Sequence, residues 1–155
     1  MKRIFNVEVS SELLMTYRTE ANLFEVGDFI SHAGLPLPWK IECDAIQPEW
    51  WDGLARMVMD YQVRPFYKAV GIPRGGIPFA TAMNKYASGD PNDQIMICDD
   101  VFTTGTSFKE FIQKEYPDWT RGQGYRWVIF ARQPSNVDPH HVRALFTMPL
   151  KPREI

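Results

Sequence analysis

Two stretches of this 155-residue chain concentrate the side chains able to do chemistry. The richer one reads Ile95-Met96-Ile97-Cys98-Asp99-Asp100-Val101-Phe102, then Thr103-Thr104-Gly105-Thr106-Ser107. Its four leading apolar residues predict a buried strand that delivers two adjacent carboxylates to its end. Neighbouring like charges in such a place are costly unless a cation or hydroxyl donors answer them. Thr103 to Ser107 then opens a predicted helix. A turn of this kind offers several free backbone N–H groups, up to four hydroxyls and the positive end of the helix dipole. That combination cradles a monophosphate. Carboxylates a few residues earlier reach the hydroxyls of a sugar whose phosphate is so held, and the spacing describes a ribose 5-phosphate site. A Walker A loop would need GxxxxGK[ST], which is absent. The simpler alternative is a capped helix after a buried strand, with both aspartates merely solvated. An ordinary cap, however, needs one Ser, Thr or Asp and not this whole array.

The second stretch is Val70-Gly71-Ile72-Pro73-Arg74-Gly75-Gly76-Ile77-Pro78. Two glycines let backbone N–H groups approach an anion closely, and Arg74 offers a guanidinium fork to phosphate oxygens. Arg-Gly-Gly also occurs in ordinary turns, so its weight comes from position, one strand–helix unit before the acidic loop.

The elements that must position these loops follow from periodicity and punctuation. Ser10 and Ser11 can cap a helix running to Ala21. Asp28 to Asp44 reads as a hairpin punctuated by Gly34, Pro36 and Pro38. Pro48 suits the first turn of a helix ending near Gln62, with Trp51, Leu54, Ala55, Val58 and Met59 on one face. Strands are predicted at Tyr67–Ile72, Ile95–Cys98, Arg126–Arg132 and Val142–Met148. Helices are predicted at Ile77–Ala87 and about Thr106–Tyr116, with a turn at Gly89–Asp93. Alternating strands and helices indicate a single α/β domain over 1–155, a parallel, Rossmann-like sheet flanked by helices. In such sheets ligands sit at the carboxyl ends of the strands, where both loops fall.

With those residues in view, the run from Ile95 to Ser107 resembles the signature that binds phosphoribosyl pyrophosphate (PRPP) in type I phosphoribosyltransferases. Pro73–Gly76 looks like the pyrophosphate loop of the same family, where a non-proline cis peptide often precedes the glycine pair; Arg74–Gly75 or a neighbour is the candidate. Gly27-Asp28-Phe29, Ala33-Gly34 and Pro38-Trp39 are similar to the N-terminal segment of orotate phosphoribosyltransferases. The likeness runs from about Val26 to Ala131 and is specific only in the two loops. It implies the type I fold, with residues 26–46 as a small hairpin hood, and transfer of ribose 5-phosphate from PRPP to a nitrogenous base with release of pyrophosphate.

The resemblance also implies roles. Asp99 and Asp100 would take the ribose hydroxyls and, indirectly, Mg²⁺, which is held mostly by pyrophosphate, ribose and water. Thr103, Thr104, Gly105, Thr106 and Ser107 would hold the 5-phosphate. Arg74, Gly75 and Gly76 would stabilise the departing pyrophosphate. The acceptor pocket would lie between the helix after the PRPP loop and the hairpin, with Trp39, Phe102 and Lys109 as wall and charge. Three departures stand out. A family lysine that contacts substrates falls at His32, and an arginine that pairs with orotate carboxylate falls at Lys109, which lacks the planar fork. Only residues 77–98 separate the two loops. The flexible lid that closes over the family's site is missing or reduced to Gly89–Asp93. A partner subunit, Arg121–Tyr125 or Lys151–Ile155 would have to substitute for it.

Composition sets outer limits. Seventeen basic against nineteen acidic residues leave a net charge of −2, with no global field for nucleic acid. No apolar run is long enough to span a bilayer, and the N-terminus lacks the apolar core of a signal peptide. Two isolated cysteines, Cys43 and Cys98, fit neither a disulfide scaffold nor a zinc site and suit a cytoplasmic protein. The partners expected are PRPP, a small-molecule base and, as the family often forms dimers, a second copy of the chain. The competing reading is a PRPP- or nucleotide-binding regulatory protein that keeps the fold without turnover. A response-regulator-like acidic site ranks below both, because it needs a downstream lysine in place of the Thr/Gly cradle.

Overall fold

A computed structural model describes residues 2–4, 7–9, 23–30, 36–132 and 141–148. Short strands β1 (Lys2–Ile4) and β2 (Val7–Val9) pair antiparallel. Strands β3 (Phe24–Ile30) and β4 (Pro36–Ile41) form the antiparallel hood hairpin. A one-turn 3-10 helix, Cys43–Ala45, leads to α1 (Pro48–Met59). Then follow β5 (Phe66–Gly71), α2 (Ile77–Met83), β6 (Gln94–Phe102), α3 (Thr106–Glu115), β7 (Tyr125–Ala131) and β8 (Arg143–Thr147). Strands β5 to β8 form one parallel sheet in sequence order.

The layers follow from which side chains are apolar. On α1, Trp51, Ala55 and Val58 recur at helical spacing and are buried. They pack with Phe79, Ala80 and Met83 of α2 against Phe66, Met96, Trp127 and Ile129 on one sheet face. On the other face Phe108 of α3 packs against Ile97, Val128, Ala131 and Val142. With helices on both sides, β7 is buried almost throughout, as a central parallel strand must be. One polar group in this core is satisfied internally: Trp127 Nε1 donates to Gln62 Oε1 at 2.9 Å. Leu23 and Ile41 pack the hood onto the α1–α2 side, and the Phe24 ring meets Phe130 edge-on at 6.0 Å.

Boundaries shift from the sequence reading for visible reasons. The helix from Ile77 ends at Met83 and passes into a 3-10 turn, Asn84–Tyr86. The Asn84 side chain there serves β5 instead: it accepts from Ala69 N at 2.8 Å and donates to Ala69 O at 2.9 Å. The larger correction concerns β6, which continues four residues past Cys98, pairing as far as Phe102 with Ala131. Phe102, expected at a pocket wall, is 5% exposed and belongs to the core beneath α3. The expected first helix, Ser10–Ala21, lies outside the described residues.

Candidate functional site

The extension of β6 places Asp99 and Asp100 inside the strand rather than after it. Each carboxylate accepts the backbone N–H of the next residue, Asp100 N to Asp99 Oδ1 at 2.9 Å and Val101 N to Asp100 Oδ1 at 2.8 Å. Those local bonds orient the two carboxyl groups. Asp99 is 7% exposed. Burial, then the Asp100 charge, push its pKa up from 3.8 to about 8, and its side chain hydrogen-bonds Asp100. Asp99 is thereby disposed to hold a proton beside the Asp100 carboxylate. A site with this wiring welcomes either a proton or an outside donor: a hydroxyl group or a cation.

Five residues beyond Asp100, the chain turns into α3 through Gly105, whose φ of 83° is in the left-handed region that glycine adopts without strain. Gly105, the N-cap of α3, has no side chain to bond the first turn, and the leading N–H groups of the helix lie at the carboxyl edge of the sheet. Thr104 and Thr106 share a hydroxyl–hydroxyl bond of 2.9 Å above that turn. Thr104, Thr106 and Ser107 are exposed, Thr103 is half-buried and Gly105 is buried. An uncapped helix start ringed by hydroxyls is suited to an anion.

The Pro73–Gly76 loop abuts this strand. Ile72 N donates to Cys98 O at 2.8 Å, which ties the loop's start to β6. A Cβ on Gly75 would collide with the Asp100 carboxylate, so only glycine allows the loop so near the acidic pair. Gly76 is buried against the Cys98 carbonyl. The peptide Pro73–Arg74 is cis, one bond before the position favoured from sequence. Arg74 projects into solvent, with Asp44 at 3.7 Å.

The 3-10 turn at the base of the hood thus meets both loops. Asp44 faces Arg74, and the Cys43 thiol donates to Asp100; burial and that carboxylate hold the thiol far above its ordinary pKa. Neither residue stands out in the sequence, since a Cys-Asp pair after a strand carries no motif. Arg132 is a third residue that sequence reading passed over. It ends β7 at the same carboxyl edge, is 6% exposed, and its N–H donates to Phe102 O at 3.0 Å. Burial pulls its pKa below the ordinary arginine value. A buried arginine at a strand's carboxyl end is the signal that could have found it.

The structure therefore brings together Asp99, Asp100, Arg74, Gly75, Gly76 and Thr103–Ser107. It does not gather all the expected acceptor residues. Lys109 is exposed and lines a cleft with Ile112, Trp119 and Arg121 on the α3 side, whereas the hood packs on the α1–α2 side. Trp39 lies in β4 opposite Val26. His32 and the Ala33-Gly34 turn lie outside the described residues. Cys98 is fully buried, and burial followed by the Asp99 charge pushes its thiol far up, as suits a structural thiol.

Among the described residues no group of three or more His, Cys, Asp or Glu side chains is placed to hold a metal. Two carboxylates nonetheless fit a hard, oxygen-seeking cation that takes its remaining ligands from substrate and water, as Mg²⁺ does. The lid question is settled for two segments. Ser88 N and Gly89 N donate to Phe66 O and Tyr67 O, at the start of β5, so Gly89–Asp93 sits at the sheet's opposite edge. Gly124 N donates to the Gln94 side chain at 2.7 Å, so Arg121–Tyr125 lies there too. Neither covers the carboxyl edge. Lys151–Ile155 is outside the described residues.

No protein-family profile matches the chain, and no curated protein matches its sequence. Solved structures do match its fold. Orotate phosphoribosyltransferase from Aeropyrum pernix is 14% identical with a TM-score of 0.60, over 87% of this chain and 92% of that one. The Mycobacterium tuberculosis orotate phosphoribosyltransferase, in complex with inorganic phosphate, is 16% identical with a TM-score of 0.58, over 88% and 94%. Leishmania donovani UMP synthase is 18% identical with a TM-score of 0.60, over 81% of this chain; the chain spans 33% of that protein. The chain has the type I phosphoribosyltransferase fold.

Proposed function

We propose that this chain uses the type I phosphoribosyltransferase fold to transfer ribose 5-phosphate from PRPP to a nitrogenous base, releasing pyrophosphate. The observation that carries the reading is the adjacent carboxylate pair Asp99–Asp100, set between a hydroxyl-ringed helix start and a glycine loop packed on Asp100. A sugar with a phosphate at one end and a pyrophosphate at the other needs these three features in this order. The 5-phosphate takes the first-turn N–H groups of α3 and the hydroxyls of Thr103 to Ser107. The ribose 2- and 3-hydroxyls donate to Asp99 and Asp100, and the Asp99 proton passes to solvent. The pyrophosphate meets the Gly75–Gly76 loop and Arg74, displacing the weak, exposed Asp44 pairing.

In the reaction the bond from ribose C1 to pyrophosphate oxygen breaks, and its electron pair leaves with pyrophosphate. A base nitrogen lone pair forms the new C1–N bond, and the proton of that nitrogen passes to solvent. The carboxylates beside the ribose stabilise the positive charge that develops on the ring, and Arg74 stabilises the charge that leaves. Mg²⁺, approached by Asp99 and Asp100, would supply charge neutralisation of the pyrophosphate. Arg132, at the carboxyl end of β7, is the cation placed to meet an acceptor with an acidic group.

Phosphorus NMR of PRPP with Mg²⁺ and single purine or pyrimidine bases tests the reading. Free pyrophosphate and a nucleotide 5-phosphate appear together with one base and not without it. A second reading, a PRPP-binding protein without turnover, is favoured by one observation: neither Gly89–Asp93 nor Arg121–Tyr125 covers the site. PRPP that stays intact with every base, yet binds, decides for that second reading.

A further inference from the structure

We infer that the cleft flanking α3, whose lining includes neither the acidic pair nor Thr103–Ser107, is a second ligand site, and that its ligand is a nucleoside monophosphate. The cleft encloses about 450 Å³, within the size range of small-molecule sites. Among the described residues three cations line it, Lys109, Arg121 and Arg126, and no carboxylate does. That is a local reversal of a chain in which acids outnumber bases. Among the described residues neither Lys109 nor Arg121 has an ion pair. Trp119 and Ile112 supply an apolar wall. A phosphate for the cations and a flat base for the indole is the ligand class that uses both surfaces.

The cleft is built rather than incidental. Trp119 is fixed by stacking on Tyr116, with ring centroids 4.3 Å apart and planes 20° apart. Its backbone N–H donates to Tyr116 O at 3.1 Å. Gly124 leaves the room that this indole needs: φ there is +82°, and a Cβ would strike the six-membered ring. Arg121 sits at the tip of a turn closed twice, Gln123 N to Thr120 O at 3.1 Å and Thr120 N to Gln123 Oε1 at 3.2 Å. Arg126 is 8% exposed, and its Nη2 donates to Gln123 O at 3.3 Å. Arg126, a held donor beside a fixed aromatic, costs little ordering on binding. The cleft runs from Lys109, one turn into α3, toward the edge where Gly124 meets Gln94. It therefore does not depend on the PRPP reading.

The test is proton–nitrogen NMR of the whole chain titrated with adenosine 5′-monophosphate, adenosine, inorganic phosphate and pyrophosphate. The monophosphate should saturably shift the Thr120–Gln123 amides and the Trp119 indole N–H. It should bind at least tenfold more tightly than adenosine or inorganic phosphate. Arg121→Glu, at an exposed turn, should weaken that binding at least tenfold while the pyrophosphate response at Gly75–Gly76 persists. Arg121→Gln should give an intermediate loss. The inference is overturned by monophosphate shifts confined to Thr104–Ser107, by equal affinity for inorganic phosphate, or by indifference to Arg121→Glu. Failure of the pyrophosphate response alone would count against the PRPP site and leave the cleft standing.

Discussion

Stability should fall as pH rises, and Asp99→Asn should abolish most of that fall. Asp99 titrates near 8 in the folded chain and near 3.8 when unfolded. A raised carboxyl pKa means that the folded state keeps a proton which the unfolded state has lost. Its contribution is fully present below about pH 4 and is lost on rising through about pH 8. The slope inside that window is about 1.4 kcal/mol per pH unit, one proton's worth. For a chain of this size each kcal/mol moves Tm by about 2–4 °C. The charge that acts on Asp99 is Asp100, which adds to the effect of burial. Thermal unfolding by circular dichroism from pH 5 to pH 8.5 reads it directly. The parent should lose roughly 3–6 °C per pH unit relative to Asp99→Asn, which keeps an oxygen to accept the Asp100 N–H. The variant should be the more stable protein at pH 8. Parallel curves, or a variant less stable at pH 8, would refute the raised Asp99 pKa and the burial argument behind it.

Other perturbations follow from packing. Gly75→Ala drives a methyl into the Asp100 carboxylate and should cost about 1–3 kcal/mol in urea unfolding while weakening pyrophosphate binding in calorimetry. Gly105→Ala meets a φ of 83° and should cost about 1–2 kcal/mol, with the loss concentrated in hydrogen-exchange protection of α3. Gln62→Leu leaves the buried Trp127 N–H without its acceptor and should lower stability by about 1–3 kcal/mol, read as an earlier denaturation midpoint at unchanged m-value.

Much of the layout was legible because its signals are local. Apolar runs mark the four parallel strands, and Pro48 with the Trp51, Ala55, Val58 spacing marks α1. The two loops could be read because glycine, threonine and aspartate are costly choices inside a core and so advertise themselves. The end of β6 was not legible. Charged residues ordinarily end a strand, yet here each aspartate bonds the next N–H and the strand runs on to Phe102. Phe102 then points into the core, where its composition alone could have placed it at a ligand wall. The partners of Asp100 and Arg74 were hidden for a different reason. Cys43 and Asp44 lie more than fifty residues and thirty residues earlier, respectively, and only tertiary packing joins them. Lys109 was misjudged for its direction: helix spacing fixes its face, but which neighbour covers that face depends on the loop holding Trp119.

The most direct test of the central claim is thermal stability with and without PRPP and Mg²⁺, on the parent and on Asp99→Asn/Asp100→Asn. PRPP at a hundred times its Kd should add about 2.7 kcal/mol to the parent, several degrees in Tm. The increment should need Mg²⁺ and vanish in the double variant, even though that variant starts from a higher baseline at neutral pH. No increment at millimolar PRPP, or one that survives loss of both carboxylates, would contradict the assignment of this acidic pair and its loops to a phosphoribosyl pyrophosphate site.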